Sequence, residues 1–250
     1  AKAATLRHSD EAWAVKYSRD GAILVTTSND TLEDQTVKVW DARTLDLKRG
    51  WKAHDATVTE VSIAPDGRRL ATSSLSADQA GRVWEVATGA LLAAPDWPTE
   101  PARSVAFDPR GDRLAAVGSK GTVRVWNAAD LTTVWTTVGH VRVIHAVDFS
   151  PDSTRIATGG DDGFVRIWDA ATGAKVGEFR SPVEIMAVAF DPLGRRLAAG
   201  SNEGTVYLLD PGTAKLERVI RSDDRNVRGL DFSPDGRTLA SGGLGKSIRL

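Results

Sequence analysis

The strongest constraint on this chain is a repeat. Six times in 250 residues an apolar run meets a Pro-Asp-Gly-like turn and a second apolar run. A Gly/Asp turn, a third run and a short last run follow. Anchored on the first turn, the copies fall at Asp20, Asp66, Arg110, Asp152, Leu193 and Asp235, spaced about 42 residues apart from Asp66 onward. A unit of that length, repeated, stacks its copies so that each buries the face of the next.

The copy at residues 139–181 shows the grammar. Val147 and Phe149 alternate with polar neighbours, as a half-buried strand does. Pro151-Asp152-Ser153 turns the chain, because proline fixes φ and aspartate caps nearby backbone. Ile156-Ala157-Thr158 is a second strand, and Asp161-Asp162-Gly163 a hairpin turn. Val165–Trp168 is a third strand, and Ala171-Thr172-Gly173 leads to a fourth over Lys175–Phe179. A lone four-stranded sheet cannot bury both faces, so neighbouring sheets must cover them.

The third strands end in Trp40-Asp41, Trp84-Glu85, Trp126-Asn127 and Trp168-Asp169, with Leu209-Asp210 in the fifth copy. Gly139-His140 opens the fourth copy, and Ala53-His54 is related to it. On these residues the whole chain resembles the WD40-repeat family. The resemblance implies an all-β propeller of six four-stranded blades in one domain: 8–50, 51–97, 98–138, 139–181, 182–222 and 223–250. The last copy stops after its third strand. Residues 1–7, AKAATLR, align with the fourth strand at 174–180, AKVGEFR, and are expected to complete the last blade and close the ring. Closure would remove exposed strand edges and leave a monomer. The alternative is a stretch of a longer array.

Three histidines share one register. Carried over from the family's hydrogen-bonded tetrad, the sets are His8–Thr26–Asp34–Trp40, His54–Thr72–Asp78–Trp84 and His140–Thr158–Asp162–Trp168. Each satisfies buried polar groups in sequence, Asp to His to hydroxyl to indole. Pro98, Ser181 and Asp223 occupy the histidine register elsewhere, so those blades rely on apolar packing. An aspartate outside the register, such as Asp191, is expected to matter less. Ser/His/Asp-like sets suggest hydrolases, but a single active site needs no threefold recurrence, and Gly-x-Ser-x-Gly is missing from the sequence.

No His-x-x-x-His or cysteine set marks a metal site, and Asp161-Asp162-Gly163 lacks calcium-loop spacing, so no cofactor is expected. A net charge of −1 offers no global field for nucleic acid or anionic membrane. With no cysteine, disulfides and thiolate chemistry are excluded. The enlarged hairpins Ser28–Gln35 and Ser74–Gly81 are solvated tips or relief on the top face. The connector Ala93–Pro101 is stiffened by three prolines, and its Trp97 packs between blades or stands exposed.

Function is sought where the repeat stops dictating the residue. Seven positions before each first-turn anchor stand Trp13, Thr59, Arg103, His145, Met186 and Arg228. The resemblance places them around the channel mouth on the top face. Trp, Met and Arg are interface-enriched types, and Arg103 and Arg228 favour an acidic or phosphorylated ligand. The reading is a noncatalytic scaffold for a protein or peptide, with a cytoplasmic setting. Its competitors are a sensor segment of a larger regulatory protein, and a hydrolase using His145 with Asp148 or nearby loop carboxylates.

Overall fold

The computed structural model describes residues 5–8, 11–29, 36–76, 81–98, 100–221, 225–244 and 248–250. Among them there is no helix, and the strands form six antiparallel sheets. These are the six blades of a β-propeller, arranged around a central channel. The first strands are Ala12–Tyr17, Val58–Ile63, Ala102–Phe107, Ile144–Phe149, Ile185–Phe190 and Gly229–Phe232. Each is innermost and pairs with the second strand of its own blade.

The turns are built by short polar side chains. Asp152 Oδ1 accepts from Ser150 Oγ (2.6 Å) and from Thr154 N (3.0 Å). At the left-handed position of this turn stands Ser153 (φ 61°), where the other five copies carry glycine. The aspartate of Trp-Asp has its own task. Asp169 Oδ1 accepts from Ala171 N and Thr172 N, and Asp41, Asn127 and Asp210 cap the same turn in their blades. That turn sends the chain back as the fourth strand, which is why the dipeptide recurs.

The core is a series of seams between blades. At the seam of blades 3 and 4, Val117, Val123 and Val125 of one face Ile144, Val147, Phe149, Ile156 and Trp168 of the next. The seam of blades 4 and 5 repeats the arrangement with Val165 and Ile167 against Ile185, Val188, Phe190, Leu197 and Leu209. Trp97 lies in the seam of blades 2 and 3, its ring 5.8 Å from that of Trp126.

Among the described residues, the seam between blade 6 and blade 1 does not repeat this packing. Val15 and Tyr17 hold the positions of Val147 and Phe149, yet are 59% and 63% exposed where those are 7% and 3%. On the far face of blade 6, Ile248 and Leu250 are also exposed. The sixth sheet shows three strands, Gly229–Phe232, Leu239–Gly242 and Ile248–Arg249. Of the expected closing strand, residues 1–4 lie outside the described residues, and residues 5–8 form no strand. Arg7 and His8 are held by blade 1 instead: Arg7's carbonyl accepts from Lys38 Nζ (3.3 Å), and His8 Nε2 lies 2.6 Å from Thr26 Oγ1.

In blade 4 the four tetrad side chains meet. His140 Nδ1 donates to Asp162 Oδ1 (2.8 Å), Thr158 Oγ1 lies 2.8 Å from His140 Nε2, and Trp168 Nε1 donates to Thr158 Oγ1 (2.9 Å). Arg166 Nη1 adds a fifth member, 2.8 Å from Asp162 Oδ2. Burial alone would raise Asp162's pKa, but the hydrogen bonds from Arg166 and His140 outweigh it and hold the carboxyl below its usual range. Burial pushes His140 down against the pull of Asp162, so its ring is neutral at pH 7. The His–Thr–Trp part recurs as His54–Thr72–Trp84 and His8–Thr26–Trp40. Asp34 and Asp78 lie outside the described residues.

Blade 3 shows what the register lacks. Ala116 stands where blade 4 has Thr158, and the buried Trp126 Nε1 has no partner among the described residues. Asp191 corrects an expectation. It is 1% exposed, caps Leu193 N and accepts from Arg195 Nε at 2.8 Å. Arg195 also donates to the carbonyl of Gly236, tying blade 5 to blade 6. Asp191 therefore makes more contacts than its place outside the tetrad register implied.

Candidate functional site

The six ring residues belong to different blades, and the fold brings them together. Trp13, Thr59, Arg103, His145, Met186 and Arg228 line one cavity of about 200 Å³ at a mouth of the channel. Pairing irregularities explain why these positions escape the repeat. In blades 1 to 5 the ladder of the first strand skips one residue: Trp13, Thr59, Arg103, His145 and Met186 in turn. Each is the extra residue of a β-bulge, which leaves the ladder and re-aims its side chain. Arg228 sits just before the first strand of blade 6 and donates its backbone N–H to Gly242 O.

The chemistry around the ring is mixed. Thr59 Oγ1 lies 3.0 Å from Ser73 Oγ and donates to Ala102 O. Arg103 Nε reaches Ser119 Oγ at 3.3 Å, and Arg228 Nε reaches Asn226 Oδ1 at 3.3 Å. Neither guanidinium has a carboxylate within ion-pair distance among the described residues. Trp13 is 40% exposed, so its indole is available to a ligand. Glu60 is a seventh lining residue that sequence reasoning missed. It sits one position past the bulge at Thr59, where the ladder resumes.

His145 does not pair with Asp148. Its Nε2 lies 2.5 Å from Asp161 Oδ1, the first residue of the neighbouring hairpin turn. Among the described residues no hydroxyl or other nucleophile bonds to His145, so no nucleophile–base pair is assembled there. Asp148 lies further down the channel, where its carboxylate accepts from Phe149 N (2.9 Å) and, across the seam, Phe190 N (2.8 Å). Burial pushes it up to about 6, against those hydrogen bonds and Lys16. Lys16, Glu60, Asp148 and Asp231 share this channel, a space of about 310 Å³. Lys16 Nζ stands 3.9 Å from Glu60 Oε1, and chiefly that carboxylate holds the lysine pKa above its ordinary value. Among the described residues no group of three or more His, Asp or Glu is placed to hold a metal ion. No helix among them is long and apolar enough to cross a membrane.

Comparison with known proteins adds to this geometry. The family described as "WD domain, G-beta repeat" (WD40) matches at residues 2–41, 45–85, 96–127, 131–169, 173–210 and 214–250. Those units begin one strand earlier than the blades. WD repeat-containing protein VIP3 of Arabidopsis thaliana is 32% identical over 133 residues, covering 52% of this chain and 40% of that protein. Eukaryotic translation initiation factor 3 subunit I of Neurospora crassa is 33% identical over 113 residues, covering 45% and 31%. The chain thus spans less than half the length of these relatives. A propeller chain in the crystal structure of the Mitotic Checkpoint Complex superposes with a TM-score of 0.85 at 22% identity, covering 96% of this chain and 74% of that one.

Proposed function

The chain belongs to the WD40 family, and from that premise we propose that it is a noncatalytic scaffold that binds a protein or peptide at the channel mouth. The observation that carries this reading is convergence. Six side chains of five kinds, five of them at positions freed from the blade's ladder by bulges, line a single cavity. A packing role would favour like residues at equivalent sites, whereas a ligand meets each blade with a different part of its surface. Trp13 supplies an aromatic anchor, and Arg103 and Arg228 supply charge for an acidic or phosphorylated group. A relative named as a subunit of an initiation factor supports a partner that is itself a protein, and a cytoplasmic setting. The short span of the relatives favours the related reading of a recognition segment in a larger protein or assembly.

The test is a pull-down from the native host, with titration of the recovered partner. Trp13→Ala and Arg103→Ala should each weaken binding by about 2 kcal/mol, roughly 30-fold, with the fold intact. Arg68→Ala, exposed beside the first turn of blade 2, should leave binding unchanged. Loss with Arg68→Ala and retention with the ring variants would place the partner on the opposite face.

A further inference from the structure

A second cavity lies away from the ring. A groove of about 700 Å³ opens on the seam of blades 1 and 2, beside the first turn of blade 2. Ile23 and Val39 of blade 1 and Val86 of blade 2 give it an apolar floor. The exposed Lys48, Arg49 and Arg68 stand around its opening, with Glu85.

The seam of blades 3 and 4 shows what fills the same space. Trp135, on the fourth strand of blade 3, pairs with Val125 and packs on the core there. Its indole Nε1 donates to Ala170 O of blade 4 at 3.0 Å. In blade 1 the equivalent pair is Val39 with Arg49. Val86 stands where blade 4 has Ala170, two residues past the third-strand tryptophan. Arg49 does not use that carbonyl; its Nη1 donates to Thr88 O instead (3.1 Å). At the seam of blades 2 and 3 the equivalent carbonyl, Ala128 O, accepts from Arg69 Nη1. Blade 1 has Ile23 at the position of Arg69, which can donate nothing. Val86 O therefore accepts no hydrogen bond among the described residues. Two substitutions in the chain interior, Arg49 for Trp135 and Ile23 for Arg69, thus leave open both a volume and an acceptor.

Charge selects what can enter. Of the groups that line the groove, three are cations and one, Glu85, is a carboxylate. Lys48 is shared with Asp41 at 2.9 Å. Among the described residues no carboxylate lies within ion-pair distance of Arg49 or Arg68. Unpaired guanidinium groups around an apolar floor favour carboxylates flanking a large apolar side chain.

We propose that this groove docks an acidic segment of another polypeptide, which inserts one tryptophan side chain. The indole takes the place that Trp135 holds between blades 3 and 4 and donates to Val86 O. Carboxylates on either side of it pair with Arg49 and Arg68. This surface is separate from the channel-mouth ring and does not rest on the ring's reading.

The probe is a fluorescein-labelled peptide with a central tryptophan between two runs of Asp and Glu. It is titrated with the whole chain Ala1–Leu250 by fluorescence anisotropy near physiological salt. Two further probes replace the tryptophan with alanine, or the acids with lysines. The acidic tryptophan probe should bind, and each change should weaken it by about tenfold or more. Arg49→Glu with Arg68→Glu, both exposed and so compatible with folding, should weaken it equally. Arg49→Trp gives blade 1 the side chain that blade 3 carries, and should close the groove and abolish binding with the circular dichroism unchanged. Arg228→Glu at the ring should bind the probe as the unaltered chain does. Absence of binding, equal binding of the alanine or lysine probe, undiminished binding to Arg49→Trp, or loss with Arg228→Glu would overturn the proposal.

Discussion

Removing the carboxylate of Asp162 tests how much one blade depends on its polar chain. The side chain is 3% exposed and accepts from His140 Nδ1 and Arg166 Nη1, both at 2.8 Å, and from Phe164 N at 3.2 Å. In Asp162→Ala the Nδ1 of His140, itself 2% exposed, keeps only Arg166 Nη1 at 2.8 Å, which is also a donor, so an Nδ1–H there faces no acceptor. Leaving such a donor buried costs about 1–3 kcal/mol. Arg166 keeps a second carboxylate, Glu178, at 3.5 Å, so its share of the loss is smaller, about 1 kcal/mol. The sum is about 3 kcal/mol, or roughly 6–12 °C in midpoint for a chain of this size. Asp162→Asn keeps an oxygen for His140 while losing the charge opposite Arg166, and should cost about half as much. Thermal and urea unfolding monitored by circular dichroism measure both. The comparator is Asp130→Ala, an exposed acid bonded only within its own turn. Asp162→Ala no more destabilising than Asp130→Ala would refute the argument.

Burial sets two further outcomes. Desolvation, aided by Arg82, holds His54 down to about 3, so below pH 6.5 the unfolded chain takes a proton that the folded chain refuses until about pH 3. Stability should therefore fall as pH drops through that window, by on the order of 2 kcal/mol at pH 5 from this group. Urea midpoints at pH 7.5 and 5.0 should draw closer in His54→Gln, and an unchanged difference would contradict the assignment. Val147→Ser in a packed seam should cost about 2 kcal/mol, whereas Val15→Ser at the equivalent position of blade 1 should cost little. Equal losses in urea unfolding would mean that the face of blade 1 is covered in solution.

Much of this architecture could be read from turn chemistry. Asp152, Asp169 and their counterparts mark turns by bonding to backbone within three residues, which is a local property, so the repeat and its strands were legible. The tetrad came from the family resemblance, with His–Thr and Asp–Trp spacings that hold in all three copies, and the ring's register is fixed by the first turn. The bulges were not. Whether Thr59 or His145 leaves its ladder depends on how two strands twist against each other, and alternation of residue types does not record it. For the same reason Glu60 was missed, and of the two partners offered for His145, Asp148 or a nearby loop carboxylate, it is the second, Asp161 of a hairpin turn, that reaches it. The burial of Asp191 was not foreseen: its bonds to Leu193 N and Arg195 Nε lie within its own turn, and Arg195 goes on to reach Gly236 of blade 6. The exposure of Val15 could not be foreseen, since its sequence environment is that of a buried valine and only the neighbouring blade decides its fate.

That exposure changes the mechanics of the molecule. In a hoop with every joint equally tight, no blade is first to fail. Here, among the described residues, the joint of blades 1 and 6 lacks the apolar packing that binds the others, so in resisting opening the blades resemble a curved row with two ends. Opening then costs least at the ends and most at blades 3 and 4, and amide exchange should slow from both ends toward the middle. The row also has a freedom that a hoop lacks. A small change of angle at each joint adds over five joints to a large change in the gap, so a ligand gripping several bulged residues at the mouth could set the width of a seam none of its atoms touch.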